Sequence, residues 1–331
     1  MYDVLIIGAG IAGLSAALYS ARLGLKTLLI SRDLGGQAIL APEIQNYPGF
    51  SSISGMELIR KIEEQVRNYG ISMLFDEVNE VKSDGRAFLV KTVTGKEYKS
   101  LALILAIGKA PRELKVPGES KFKGRGVSYC TICDAPLFKG KKVALVGIGE
   151  AGLHGALTLS EVVKECYWVF PGSTPGAISK ERLNYLLSKG NVKLMPNSKV
   201  IEIKGDIKVK SIVIKDLKTG EVKELNVDGV FIEMGYEVKT EFLKGFIKLN
   251  EKGEIIVDKL CKTSREGVFA AGDVTDIPYK QAIISAAQGA IAALSAYNYI
   301  AKIKGLSTIT SDWRHVPIER KEEEGGFFLK L

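Results

Sequence analysis

The seven residues Ser128–Asp134 read SYCTICD, placing two thiols, Cys130 and Cys133, two residues apart with a carboxylate, Asp134, directly behind them. Thiols so spaced can close a disulfide within one turn of chain, and the lowered pKa of one of them sets the redox poise of the pair. The same spacing also serves as half of a zinc site, or holds two buried and inert thiols. A zinc site needs about four ligands, and Cys166, Cys261, His154 and His315 all stand isolated, so no metal is expected. Against inert thiols stand the polar flanks Thr131 and Asp134 and a nucleotide-type turn that begins soon afterwards. Asp134 either relays a proton as thiolates form and leave, or is an ordinary acid at a helix N-terminus.

Two glycine-rich turns must position this chemistry. Val4–Ile7 is a short β-branched run, followed by Gly8-Ala9-Gly10-Ile11-Ala12-Gly13 and a helical pattern through Arg22; Thr27–Ile30 reads as the next strand. Strand, GxGxxG and helix in this order form the dinucleotide fingerprint. Gly8 permits the tight turn, Gly10 lets backbone approach a pyrophosphate, and Gly13 lets helix and strand close up, while the N–H groups at the helix start face the anion. The pattern returns at Val143–Val146 with Gly147-Ile148-Gly149-Glu150-Ala151-Gly152, a helix to about Lys164 and a strand CYWVF. Two copies imply two nucleotide-binding-type domains in one α/β chain, an arrangement similar to that of flavin-dependent disulfide reductases.

The second copy fails one check. A working site ends its second strand on an acid that holds a ribose 2′-hydroxyl, or follows it with arginines that hold a 2′-phosphate. Val169-Phe170-Pro171-Gly172-Ser173-Thr174-Pro175-Gly176 offers neither, and Lys180 and Arg182 fall several residues late. The turn is therefore expected, but its neighbours do not support dinucleotide recognition by Gly147, Gly149, Glu150, Ala151 and Gly152. The first copy also lacks an acid directly after its second strand, having Ser31-Arg32 before Asp33.

The totals bound the answer. A chain of 331 residues exceeds the roughly 250–300 at which single cores stop growing, so two domains are expected. Apolar content of 46% and charged content of 25% belong to a folded globular chain. The formal charge of +8 favours an acidic partner or anionic ligand, but no clustered basic tract or recognisable module points to nucleic acid. Four cysteines are too few for a disulfide scaffold, no run reaches the roughly 20 apolar residues of a membrane span, and the opening residues lack a signal-peptide pattern. A soluble protein of the cytoplasm, without a membrane partner, is expected.

In order along the chain come GAGIAG, GGQ (Gly35–Gln37), YPGF (Tyr47–Phe50), AIGKAPR (Ala106–Arg112), GRGVSYCTICD and GVFAAGDVTD (Gly267–Asp276). This series resembles the low-molecular-weight thioredoxin reductases, from about residue 2 to residue 300. The resemblance implies two Rossmann-like, three-layer ββα domains: an FAD domain made of residues 1–111 and 241–303, with a central NAD(P)H-type domain, 112–240, inserted between them. It implies FAD contacts from Gly8, Gly10, Ile11, Ala12 and Gly13, from Gly35, Gly36, Gln37 and Asn46, and from Ala106 and Gly108. Further contacts would come from Gly272 and Asp273, and from Lys280, Gln281 and Ala282, where Lys280-Gln281 replaces the usual Arg-Gln. It implies that Cys133 faces the flavin, that Cys130 attacks the protein disulfide, that Asp134 is the general acid, and that the protein is a homodimer reducing thioredoxin.

The donor stays open. NADPH is the family's donor, yet the missing arginines leave room for another, such as reduced ferredoxin, whose acidic surface suits a +8 chain. A flavin-binding sensor that has lost turnover is a further reading, supported by the same eroded motif; a ferredoxin–NADP reductase of similar fold is disfavoured by the CxxC pair. Residues 304–331 lie beyond the resemblance and carry Trp313, Phe327 and Phe328, apolar groups that a disordered tail does not favour. The expectation is that this extension folds back on the flavin face or on a dimer partner, the alternative being a loosely attached terminus.

Overall fold

The computed structural model describes residues 1–85, 87–312 and 316. Trp313, Phe327 and Phe328 lie outside them. The chain separates into two compact units, one formed by Met1–Ala110 together with the chain from Val238 onward, the other by Pro111–Glu237.

The first unit begins with β1 (Tyr2–Gly10), α1 (Ile11–Arg22) and β2 (Thr27–Gly35). Val4, Leu5 and Ile6 are fully buried, as expected of a central parallel strand covered on both faces. After α2 (Gly55–Arg67) come β3 (Ser72–Phe75), β4 (Val78–Ser83), β5 (Phe88–Thr92) and β6 (Glu97–Leu105). The strand order is β3-β2-β1-β6-β5-β4. β3, β2, β1 and β6 run parallel, and β6 divides its other edge, away from β1, between two partners. Its first half pairs with β5 antiparallel and its last three residues pair parallel with a late strand at Val268–Ala270. The result is the three-layer ββα arrangement.

The chain leaves this unit at β7 (Ala110–Pro111) and builds a second, similar one. Its elements are β8 (Val127–Ser128), α3 (Thr131–Asp134), β9 (Lys142–Gly147), α4 (Gly149–Ser160), β10 (Glu165–Val169), α5 (Lys180–Ser188) and β11 (Val192–Met195). A meander follows, β12 (Ser198–Gly205), β13 (Val209–Asp216) and β14 (Val222–Asn226), and then β15 (Gly229–Glu233) and β16 (Tyr236–Glu237). The parallel sheet has the order β11-β10-β9-β15-β8. Its core is aromatic: Trp168, fully buried, meets Phe170 edge-on at 5.7 Å, and Phe138 meets Phe231 at 5.1 Å.

Back in the first unit the chain forms β17 (Val268–Ala270) and α6 (Ala282–Ile303). α6 lies on α1 because both present small residues, and a Cβ on Gly289 would stand 2.1 Å from the Ala12 carbonyl. Beyond α6 the chain returns to α1 and α6: the Asn298 side chain exchanges two hydrogen bonds with the Ile309 backbone, and Arg22 pairs with the buried Asp312 at 2.9 Å. Two boundaries differ from the sequence reading: β2 continues to Gly35, because residues 34–35 pair with the end of β1, and α4 stops at Ser160; α6 starts at Ala282, with Lys280 and Gln281 in the approach to the helix. Among the described residues no helix is long and apolar enough to cross a membrane.

Candidate functional site

In the first unit the ends of β1, β2, β6 and β17 and the start of α1 enclose a cleft of about 300 Å³. Every residue singled out for FAD lines it except Gly13. Gly13 acts underneath: a Cβ there would fall 1.7 Å from the Gly8 carbonyl, so only glycine lets α1 press onto the turn. Gly8 itself has φ +104 and faces the Ala106 backbone, where a Cβ would meet oxygen at 2.3 Å. Gly10, by contrast, has open space on its Cβ side, the nearest atom being the Gly35 carbonyl at 4.0 Å. α1 starts at Ile11 without a side-chain cap, so its first N–H groups are available to an anion.

The far end of the cleft is charged. Glu254, 8% exposed, accepts from Lys109 Nζ at 3.0 Å, Asn250 Nδ2 at 2.9 Å and, as an ion pair, Lys280 Nζ at 3.2 Å. Burial pushes its carboxyl up, but the bonds from Asn250, Lys109 and Lys280 outweigh that and bring it down to about 2. Asp273 goes the other way: burial raises its carboxyl against the pull of Lys280, Lys109 and the Ser285 hydroxyl. The Gly272-Asp273 turn is held from α6. Gln288, 6% exposed, accepts at Oε1 from Gly272 N–H at 2.9 Å and from the Thr275 hydroxyl at 3.4 Å. Asn46 Nδ2 donates to Gln281 Oε1 at 3.0 Å, and Gln37 Nε2 donates to the Lys109 carbonyl at 3.1 Å.

Sequence reasoning missed Gln288, Glu254, Lys109 and Ser285. The signal for Gln288 is a lone amide in an apolar, small-residue helix; Glu254 lies in a loop with no pattern to mark it.

In the second unit Cys130 and Cys133 are joined as a disulfide, with Cα atoms 5.4 Å apart. The pair sits at the start of the short helix α3, where the Cys133 N–H donates to Cys130 Sγ at 3.2 Å. Ser128 Oγ accepts from the Cys130 N–H at 3.1 Å, and the Asp134 N–H donates to the Cys130 carbonyl at 3.2 Å. Glu233, the last residue of β15, fixes the helix start: its Oε1 accepts from the Thr131 N–H at 3.0 Å and the Thr131 hydroxyl at 2.7 Å. Asp134 is half-buried directly behind Cys133. Cys166 and Cys261 are free and buried, and desolvation pushes both thiols up to about 12. Among the described residues no group of three or more His, Cys, Asp or Glu is gathered that could hold a metal.

The turn that opens α4 has the expected shape. Gly152 packs on Gly147 and on Trp168, whose Nε1 donates to the Gly147 carbonyl at 2.9 Å. Its surroundings differ from those of the first turn. The Gly149 N–H donates to the Pro175 carbonyl at 2.6 Å, and Glu150 accepts from Arg182 Nη1 at 2.5 Å and from the Ser179 N–H at 3.4 Å. Where an acid would hold a ribose, Val169 and Phe170 are buried, 0% and 1% exposed. Arg182, several residues late in the sequence, is carried back to the turn by α5, and there it is paired with Glu150.

The family described as pyridine nucleotide-disulphide oxidoreductase matches this chain over residues 2–293. A Pseudomonas aeruginosa alkyl hydroperoxide reductase subunit, 38% identical over 305 residues, is matched by 90% of this chain, which spans only 58% of that protein. Thioredoxin reductase of Treponema pallidum is 39% identical over 301 residues, covering 90% of this chain and 97% of the relative. The crystal structure of Lactococcus lactis thioredoxin reductase in its FR conformation superposes with a TM-score of 0.73 at 34% identity, covering 91% of this chain and all of the other.

Proposed function

The chain belongs to the pyridine nucleotide-disulphide oxidoreductase family, and on that premise we propose that it is an FAD-dependent thioredoxin-disulfide reductase. The observation that carries this reading is the Cys130–Cys133 disulfide at the start of a helix in a nucleotide-type unit, in a chain whose other unit holds a glycine-lined cleft. Near full-length likeness to thioredoxin reductase, against partial likeness to the longer hydroperoxide reductase protein, supports thioredoxin or a thioredoxin-like protein as the partner. The first unit is the FAD-binding domain in this reading, and the homodimer implied by the family resemblance belongs to the same proposal.

The residues present suit FAD. The uncapped start of α1 faces the cleft where backbone can approach a pyrophosphate, and Asp273, held in place through Gln288, offers a carboxylate to polyol hydroxyls. FAD, when bound, would supply the redox centre that takes electrons from the donor and delivers them as a pair to the Cys130–Cys133 disulfide. The protein's own part is thiol–disulfide exchange. The Cys130 thiolate attacks one sulfur of the substrate disulfide, the substrate S–S bond breaks, and the released thiolate takes a proton. The Cys133 thiolate then attacks Cys130 in the mixed disulfide, restoring Cys130–Cys133 and freeing the second substrate thiol. Two electrons pass from enzyme dithiol to substrate, and Asp134 is the group that hands over or receives a proton at Cys133. Glu233 keeps Thr131 and the helix start in register while the disulfide opens and closes.

The test is anaerobic stopped-flow: the holoenzyme is reduced with NADPH, NADH or reduced ferredoxin and then mixed with oxidised thioredoxin. Transfer to thioredoxin is expected from at least one donor, and Cys133→Ser should keep its FAD while losing transfer. Turnover preserved in Cys133→Ser refutes the assignment. Flavin reduction by every donor without onward transfer leaves the sensor reading in its place.

A further inference from the structure

We infer that the Gly147–Gly152 turn is closed by its own chain, so that the second unit offers no seat for a nicotinamide dinucleotide. This rests on the reductase reading above and narrows its donor. In a dinucleotide fold the pyrophosphate takes the N–H groups at the start of the helix that follows the first strand. Here the N–H of Gly149 is taken by the Pro175 carbonyl at 2.6 Å. The loop lies close enough that a Cβ on Gly176 would stand 3.2 Å from the same nitrogen. A backbone carbonyl thus occupies the position and the hydrogen bond of a phosphate oxygen.

Charge reinforces this. Glu150 puts a carboxylate in the first turn of α4, where a pyrophosphate would bring further negative charge. The cation within reach, Arg182, is already bonded to that carboxylate. The pair is about half exposed and contributes little to stability, so its consequence is electrostatic: it cancels the positive field an anion needs. At the ribose end the strand finishes in buried Val169 and Phe170, which offer no acceptor side chain for a 2′-hydroxyl. Hydrogen bond, charge and strand end each count against the ligand at a different part of it. Neither helix carries a side-chain cap, but in the first unit the helix start opens on a cleft, whereas in the second a loop carbonyl takes the Gly149 N–H.

The experiment measures binding apart from turnover. Isothermal titration of the FAD-loaded enzyme with NADP⁺, NAD⁺ and 2′,5′-ADP is expected to show no saturable binding up to millimolar ligand. A variant combining Glu150→Ala with deletion of Ser173 and Thr174 withdraws the carboxylate and the loop and leaves Arg182 free. It is expected to bind 2′,5′-ADP roughly tenfold or more tightly than the parent, about what one unit charge contributes near a surface. Micromolar binding by the parent enzyme, or a correctly folded variant that gains no affinity, overturns the inference. Reduction of the parent by reduced methyl viologen followed by oxidised thioredoxin tests the reductase reading separately. Failure there sinks that reading, whereas dinucleotide binding with successful transfer sinks only the present inference.

Discussion

Replacing Glu254 by glutamine removes the charge that holds two lysines at the cleft while keeping the side chain's shape. The carboxyl is brought from its ordinary 4.5 to about 2, a gap equivalent to roughly 3 kcal/mol at 1.36 kcal/mol per tenfold change. Lys109 and Lys280 keep about a fifth of their side chains exposed, 20% and 23%, so solvent screening brings the contribution to about 2 kcal/mol. At about 2–4 °C per kcal/mol for a unit of this size, Glu254→Gln should lower the Tm of the FAD-loaded protein by roughly 4–8 °C at pH 7. The sign of the pH dependence follows from a depressed carboxyl. Its stabilisation is complete above 4.5 and is lost as pH falls through about 2, so the gap between parent and variant should shrink to less than half at pH 3. Thermal unfolding followed by flavin fluorescence and near-ultraviolet circular dichroism reads both numbers. A difference below about 1 °C at pH 7, or one as large at pH 3 as at pH 7, would falsify the electrostatic account of this cluster.

Gln288→Leu takes away the only side-chain acceptor described for the Gly272 N–H, a buried donor whose loss of partner costs about 1–3 kcal/mol. Its FAD should wash out by ultrafiltration at concentrations where the parent retains it, and equal retention rejects the positioning role. Gly13→Ala, whose Cβ would stand 1.7 Å from a backbone oxygen, should fail to accumulate as FAD-loaded protein; a yellow, stable variant would show that α1 can move off the turn. After reduction, the native protein should react with a thiol reagent at two sites, Cys130 and Cys133. Cys166 and Cys261, buried and held at about 12, should react only in denaturant, and a third fast thiol under native conditions contradicts this.

Much of this molecule is legible in the chain because its signals are local. Two thiols two residues apart are brought within reach of each other by local chain geometry, and a glycine turn between a β-branched run and a helix specifies a phosphate-loop shape through backbone sterics. GAGIAG, GGQ, AIGK and GD are legible as one site although they are spread over most of the chain, because each is the end of a strand, and strand ends of a parallel sheet converge on one edge. Element boundaries are less legible. Where β2 ends depends on its pairing with β1, and where α6 begins depends on the approach through Lys280 and Gln281.

The sequence by itself determined the spacing of the thiol pair, the two nucleotide-type folds and the positions of the glycines that shape them, since these follow from spacing and conformational freedom, while the series of motifs carried the resemblance that makes the pair redox-active. Tertiary structure alone decided what fills those shapes. Glu254 reaches Lys109 across 145 residues, Gln288 reaches Gly272 across 16, and Pro175 reaches Gly149 only because β10 and its following loop return to the start of α4. Such contacts leave no periodic trace, because they are fixed by how sheet crossovers bring distant loops together. Two turns spelled almost alike therefore end with opposite properties: one opens onto a cleft, and the other is satisfied by its own backbone.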